Sequence, residues 1–439
     1  SSSSKEWTCP KSHTFPVVGK VPWLFPFPEA KLAEWRWHLQ VQLDRLDGKV
    51  AQMKQEQGLP DLLPATKKRL AKLIQGYQEH KKALSQLLTP LGKVGEQPLP
   101  GSEAWGSKIP LTQIVTSYFE NLHRDWGGIE AGEAENRLAR DRLVPLVKEH
   151  CGANPTVITL GAGGCRLPYD IHQAIPDCFS IVADINPLLF FAAKRIVEGR
   201  GVSLYEFPQH ALELEKVCKI NKLKAPEAVA DNFHFVFADC LAPPFAAGGF
   251  DVVMTPWFLD IVPEDIRTLT KRVNRLLKPG GLWLNFGPLG VASPYVSRQY
   301  TKEELEEIAG ETGFTVQTST LETIPYLRTP LAHSYRMEDV LFFAATKQQE
   351  TSDPGSYHYL PEWLTDHSLP VPLNQPVQQF QLQHEAYSRI GKLIDGRASI
   401  NDLAAQLVAQ FRMTEDQAKE TLVNLLGTLT ESHTFNRSS

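Results

Sequence analysis

Apolar residues recur at intervals of three and four early in the chain: Leu32, Trp35, Leu39, Leu43, Leu46, Val50 and Met53, then Leu70, Leu73, Ile74, Tyr77, Leu84 and Leu87. That period puts them on one helix face, so residues 29–91 are expected to form two amphipathic helices, paired antiparallel and broken near Gly58-Leu59-Pro60. A Gly/Pro-rich break covers Pro90 to Pro110, and helical patterns resume over 111–126 and 133–150. From Thr156 the pattern changes. Runs rich in β-branched and aromatic residues at 156–160, 180–183, 233–238, 251–255 and 282–286 alternate with helical stretches. Such alternation marks βαβ units and a parallel sheet covered on both faces. The expected fold class is therefore α/β, a doubly wound Rossmann-like sheet, closed by a helix near 301–312 and strands at 315–321 and 340–345.

Five prolines between Gln349 and Val377 mark an extended linker, beyond which 386–394, 400–411 and 415–429 read as three amphipathic helices. Ser399 is placed to N-cap the second, and Thr414 with Gln417 forms a capping box for the third. The expected organisation is a helical N-terminal region over 1–110, an α/β domain over 111–348, a linker over 349–376 and a small domain over 377–439. A length of 439 residues agrees, being about three times the roughly 150-residue unit of a single core.

Composition narrows the class. With 42% hydrophobic residues the chain is globular, and 45 basic against 50 acidic residues leave a net charge of -5, with no Lys/Arg run to neutralise phosphates. Nucleic acid is not expected as a partner. The six cysteines include no CxxC pair, which argues against a zinc module and a disulfide framework and fits a reducing cytoplasm. Neither a membrane span nor a signal peptide is visible, and no metal is expected.

The segment Val157 to Arg166 ends a strand, passes Gly161, Ala162 and Gly163, and opens a helix, so backbone can approach a ligand at the carboxyl edge of the sheet. Asp184, 21 residues after Gly163, ends the second strand, where a carboxylate can accept both hydroxyls of a ribose. Asp239, followed by Cys240, ends the third, where nucleoside-binding α/β proteins contact the adenine amine. No second dinucleotide half and no Lys-Ser/Thr after the glycines are present, which disfavours pyrophosphate and triphosphate ligands. A nucleoside without a phosphate tail, S-adenosylmethionine, remains.

On four stretches the chain resembles the carnosine N-methyltransferase family of class I methyltransferases. These are Arg124-Asp125-Trp126, Gly161-Ala162-Gly163 with Arg166, Trp257-Phe258-Leu259-Asp260, and Lys278-Pro279-Gly280-Gly281 leading to Asn285-Phe286-Gly287-Pro288-Leu289. The resemblance implies that Asn121 and Arg124 reach the methionine carboxylate of the cofactor, with Arg166, Cys240 and Pro256 also in the cofactor site. It implies methylation of the π nitrogen of a histidine imidazole. That reaction requires the hydrogen to be held on the other ring nitrogen, a task for a carboxylate, and Asp260 is the expected one. Asn285 and Tyr335 fall where the family lines its acceptor pocket.

The chain departs from the family pattern at Gly290-Val291-Ala292-Ser293, where a His is absent, at Tyr335-Arg336-Met337, where only the first Tyr is kept, and at Cys165, which replaces a third Gly. The acceptor implied is accordingly a small histidine derivative such as a thiol-bearing histidine or a histidine dipeptide. The pattern from Phe380 to Leu425 is similar to the PqqD-like winged-helix family, whose members bind leader peptides on an exposed sheet edge. That likeness implies a possible peptide partner, and it keeps two alternatives open: a peptide methyltransferase recruiting its substrate through this domain, and a non-catalytic adaptor.

Overall fold

The computed structural model describes residues 6–9, 12–92, 119–208, 211–229, 231–290, 296–355, 362–373, 377–378, 388–411 and 413–435. The expectations over 111–118, at Val291 to Ser293 and at Phe380 to Leu382 lie outside them. The chain divides into two compact units, one gathering residues 1–28, 32–96 and 115–356, the other residues 29–31, 97–114 and 357–439.

The first unit opens with three short strands, β1 (Glu6–Thr8), β2 (Thr14–Val18) and β3 (Val21–Pro22), and two long helices, α1 (Pro28–Gln57) and α2 (Pro64–Leu88). Pro28 and Pro64 sit at helix starts, where a missing N–H is harmless. Then follow α3 (Phe119–Trp126), α4 (Glu130–His150), β4 (Thr156–Leu160), α5 (Arg166–Ala174), β5 (Phe179–Asp184), α6 (Pro187–Val197), β6 (Val202–Glu206), β7 (Lys219–Leu223), β8 (Phe233–Phe237), β9 (Phe250–Met254), α7 (Ile266–Leu276), β10 (Leu277–Gly287), α8 (Lys302–Glu311), β11 (Phe314–Tyr326) and β12 (Arg336–Lys347).

Seven of these strands form one sheet in the order β11-β12-β10-β9-β4-β5-β8. The five from β8 to β10 are parallel, and β12 runs antiparallel between β10 and β11. The central strands read as near-continuous apolar runs because both faces are covered. One face packs Leu143 and Val147 of α4 and Ile171 of α5 against Val157, Val252, Leu284 and Phe286. Caps fix where helices begin: Asn186 accepts from Leu188 and Leu189 N–H at α6, and Thr301 with Glu304 closes a capping box on α8.

Two features have no counterpart in the sequence reading. The N-terminal segment adds to the sheet edge, where Trp23 pairs in parallel with Phe237 and Leu24 N–H donates to the Phe237 carbonyl. Trp23 is fully buried there, its ring 5.0 Å from that of Phe237, and so covers an edge strand that would otherwise expose its backbone. The β6–β7 hairpin, inserted between α6 and β8, carries buried Glu206 and Asn221 against His123 of α3.

The second unit contains α9 (Glu362–Thr365), α10 (Ser388–Leu393), α11 (Ile400–Gln410) and α12 (Glu415–Phe435) around a small core of Ile394, Leu403, Leu407, Leu422 and Leu426. The expected caps form: Ser399 and Asp402 exchange a capping box, as do Thr414 and Gln417. Among its described residues the pairing of extended backbone amounts to a single bridge, Pro370 with Ser399.

Candidate active site

The loop after β4 is shaped by backbone that favours glycine: Gly161 has φ +66° and Gly163 φ +50°. A Cβ on Gly161 would lie 2.4 Å from Phe258 Cδ2, so this glycine lets the turn after β9 close onto the loop. Around Gly163 a Cβ would meet nothing within 4 Å. Gly161 N–H points at Cys240 Sγ, 3.3 Å away. Asp184, at the end of β5, accepts from Gly163 N–H and Asn186 N–H, both at 2.7 Å. Burial raises its pKa while those backbone donors lower it. Asp239 is half-buried and accepts from Leu241 N–H at 2.9 Å. Ala162 and Pro256 are buried, one in the glycine loop and the other at the end of β9. Gly161→Ala should displace Phe258 and strain the loop, and we expect S-adenosylhomocysteine affinity to fall at least 10-fold by calorimetry.

Helix α3 is fastened to this loop. Trp126 Nε1 donates to the Gly164 carbonyl at 2.7 Å, and a Cβ on Gly164 would come within 2.6 Å of Asp125 Oδ2. Arg166 donates to both carboxylate oxygens of Asp170 from Nε, to both of Glu133 from Nη1 and Nη2, and to the Asp125 carbonyl. Its guanidinium is thus committed to holding α3 and α4 against α5, a positioning part rather than direct ligand contact.

The docked α3 presents Asn121 and Arg124. Arg124 donates from Nε to Asp125 Oδ1 at 2.8 Å, and its Nη1 lies 3.8 Å from Glu135 Oε2. Its guanidinium carbon stands 5.5 Å from the Trp257 ring centre and 5.7 Å from that of Tyr326. Asn121 Oδ1 and both carboxylate oxygens of Glu135 are buried without a hydrogen-bond partner. Burial pushes the Glu135 carboxyl up to about 7, against the nearby Arg124.

On the acceptor side, the turn after β9 passes through Trp257, whose φ of +50° is unusual for a bulky residue. The strain is held by Trp257 N–H donating to the Phe286 carbonyl at 2.9 Å. Gly287 makes room for it, since a Cβ there would lie 2.7 Å from Trp257 N. That contact gives the Asn-Phe-Gly motif a physical reason. Asp260 follows, with Oδ1 buried and unpartnered, and its carboxyl is pushed up to about 6 by burial and the nearby Glu338, with Arg336 opposing.

Asn285 and Tyr335 stand elsewhere. Asn285 is fully buried, donating to the Leu341 carbonyl at 3.0 Å and accepting from Thr255 Oγ1 at 3.2 Å, so both ends of its amide knit the sheet. Tyr335 is 50% exposed, with Arg328 over its ring. The buried aromatic facing the turn is instead Tyr326, 4.5 Å from Trp257 between ring centres, with Arg336 4.4 Å above it. Neither Tyr326 nor Glu135 was singled out from the sequence. Tyr326 ends a long strand in no motif, and Glu135 lies in a charged helix where exposure was the ordinary expectation.

Numbered by strand within the sheet, the order is 3-2-1-4-5-7-6, with the glycine loop after strand 1 and acidic residues ending strands 2 and 3. The residues fit S-adenosylmethionine: an open glycine cradle, a carboxylate braced beneath it, and orphaned buried acceptors next to a buried guanidinium. The protein is an S-adenosylmethionine-dependent methyltransferase with a Rossmann-like sheet. The carnosine N-methyltransferase family description matches residues 103–348, and the chain belongs to that family.

Other likenesses are partial. The chain is 39% identical over 67 residues to demethylmenaquinone methyltransferase of Lactococcus lactis, a stretch covering 15% of this chain and 26% of that protein. Among solved structures it is similar to a putative methyltransferase from Bacillus halodurans (12% identity, TM-score 0.33, 47% of this chain and 99% of that one). It is also similar to magnesium protoporphyrin IX methyltransferase from Synechocystis with bound S-adenosylhomocysteine (14%, TM-score 0.34, 50% and 85%). Among the described residues no helix is long and apolar enough to cross a membrane, and no cluster of His, Cys, Asp or Glu is arranged to hold a metal.

Proposed function

We propose that the protein methylates a ring nitrogen, the π nitrogen, of the imidazole of a small histidine derivative. The observation that carries this reading is Asp260: a half-buried carboxylate whose Oδ1 is buried and unpartnered, in the turn after β9 that closes on the glycine loop. Family membership adds a histidine-containing acceptor as the chemical precedent.

The bound cofactor supplies an electrophilic methyl on a sulfonium. Asp184, which holds the Gly163 backbone, would offer its remaining lone pairs to the ribose, Asp239 would accept from the adenine amine, and Arg124, kept in place by Asp125, would take the methionine carboxylate. Cys240 receives the Gly161 N–H and fixes the loop. Asp260 accepts the N–H of one imidazole nitrogen and leaves the other lone pair free for in-line attack, which positioning accelerates. As the new N–C bond forms and the S–C bond breaks, the ring becomes an imidazolium. The Asp260 carboxylate balances that charge, takes the ring proton and returns it to solvent, leaving a neutral methylimidazole. Asn285 acts one layer back by holding β10 to β12.

Incubating the full chain with isotope-labelled cofactor and a panel of free histidine, thiol-bearing histidine and histidine dipeptides tests this reading by mass spectrometry. Label should appear in at least one member. Label absent from all of them, with cofactor bound, would remove the imidazole assignment.

A further inference from the structure

Glu135 is a buried carboxylate of the site that the steps above do not use. It sits on the inner face of α4, 7% exposed, and neither oxygen has a hydrogen-bond partner. Backbone N–H groups of Leu327 and Arg328 approach it without completing hydrogen bonds, and its nearest cation, Arg124 Nη1, is 3.8 Å from Oε2, longer than a charge-assisted hydrogen bond. A buried carboxylate left in that state costs free energy unless a donor arrives. Arg124 is already anchored through Nε by Asp125, so Glu135 is not needed to hold it.

Resting on the cofactor reading above, we propose that Glu135 binds the α-ammonium of the methionine end of the cofactor, the counterpart to Arg124 on the carboxylate. An α-amino acid keeps its ammonium nitrogen and carboxylate oxygens within about 3–4 Å of each other, because one Cα joins them. A carboxylate received by Arg124 therefore brings the ammonium within reach of an acid 3.8 Å from that guanidinium. The pair reads a zwitterion: cation for the acid end, acid for the cationic end. Asn121 Oδ1, buried and unpartnered on the same helix as Arg124, is a second acceptor for the same ammonium.

The test is binding rather than turnover. S-adenosylhomocysteine and its deaminated analogue, with hydrogen in place of the amino group, are titrated into the full chain and into Glu135→Gln by calorimetry. In the unaltered protein deamination should weaken binding about 100-fold, and in Glu135→Gln the same deletion should cost less than about 5-fold, because the group that read the ammonium is gone. An equal deamination penalty in both proteins would overturn the proposal, since Glu135 would then serve only to brace the turn at Leu327. Glu135→Asp, which keeps the charge but draws it back, should give an intermediate penalty, and its matching the Gln variant would count against a charge contact. Failure of S-adenosylhomocysteine itself to bind the unaltered protein, with the fold intact by circular dichroism, would overturn the cofactor reading and this inference with it.

Discussion

Asp260→Asn is expected to lower kcat by 10²- to 10³-fold while S-adenosylhomocysteine binds with unchanged affinity. The amide keeps the shape and an acceptor oxygen, but it neither neutralises an imidazolium nor takes its proton, a difference worth roughly 3–4 kcal/mol in the transition state. The pH profile should change with it. Burial has pushed the Asp260 carboxyl up to about 6, so the unaltered enzyme should lose activity as pH falls through that value and the working carboxylate is protonated. In the variant the part of that limb due to the enzyme should vanish, leaving only the limb set by protonation of the acceptor imidazole.

Stability separates this effect from misfolding. A carboxyl whose pKa in the fold exceeds its ordinary value of 3.8 favours the folded state when protonated, fully below about 3.8, and loses that contribution as pH rises through about 6. Above that pH the native protein carries a buried charge that the amide lacks. The Tm of Asp260→Asn at pH 7.5 should therefore equal or exceed that of the unaltered protein. A lower Tm, or near-normal kcat, would remove the orienting role.

Asp184→Ala should weaken S-adenosylhomocysteine binding by 100-fold or more, the second largest effect. The substitution removes two charge-assisted acceptors at once, those of Gly163 N–H and Asn186 N–H, together with the ribose contact. Each such bond is worth roughly 1.5–3 kcal/mol, and the orphaned N–H groups add their own cost. The Tm should fall as well, because Asn186 caps α6 from the turn that Asp184 holds. Calorimetry showing unchanged affinity would sink both the brace and the ribose assignment.

These residues show what was legible in the sequence. The parallel strands declare themselves through runs such as Val157-Ile158 and Val252-Val253, because burial on both faces demands apolar residues throughout. The same logic hides the β6–β7 hairpin. Its residues alternate with Lys219 and Lys222 at the surface, and its inward positions include polar Glu206 and Asn221, so its apolar signal is thin. The N-terminal edge strand was invisible because one pairing, Trp23 with Phe237, makes it.

At the candidate site, the glycine loop and Asp184 could be placed from the sequence because they directly follow or end the apolar runs of β4 and β5, and Asp260 because it sits in a motif after β9. The aromatic partner of Trp257 could not. The ladder of β11 and β12 ends at the pair Tyr326 and Arg336, so Tyr335 falls one residue past the last rung and turns outward to Arg328, while Tyr326 turns in toward Trp257. Which of two tyrosines faces a pocket is decided by register, and register is set by pairing across the hairpin rather than by either strand alone. Arg166 offers the same lesson, since its guanidinium is held by Asp170 one turn on and by Glu133 and the Asp125 carbonyl from other helices.

The atom that receives the methyl separates imidazole methylation from every other acceptor chemistry. Carbon-13 methyl-labelled cofactor, the full chain and the best histidine derivative, followed by proton–carbon correlation NMR of the product, locates it directly. A single new N-methyl signal correlated to the ring carbons flanking the π nitrogen is expected. A methyl on sulfur, on the α-amine or on the other ring nitrogen would contradict it.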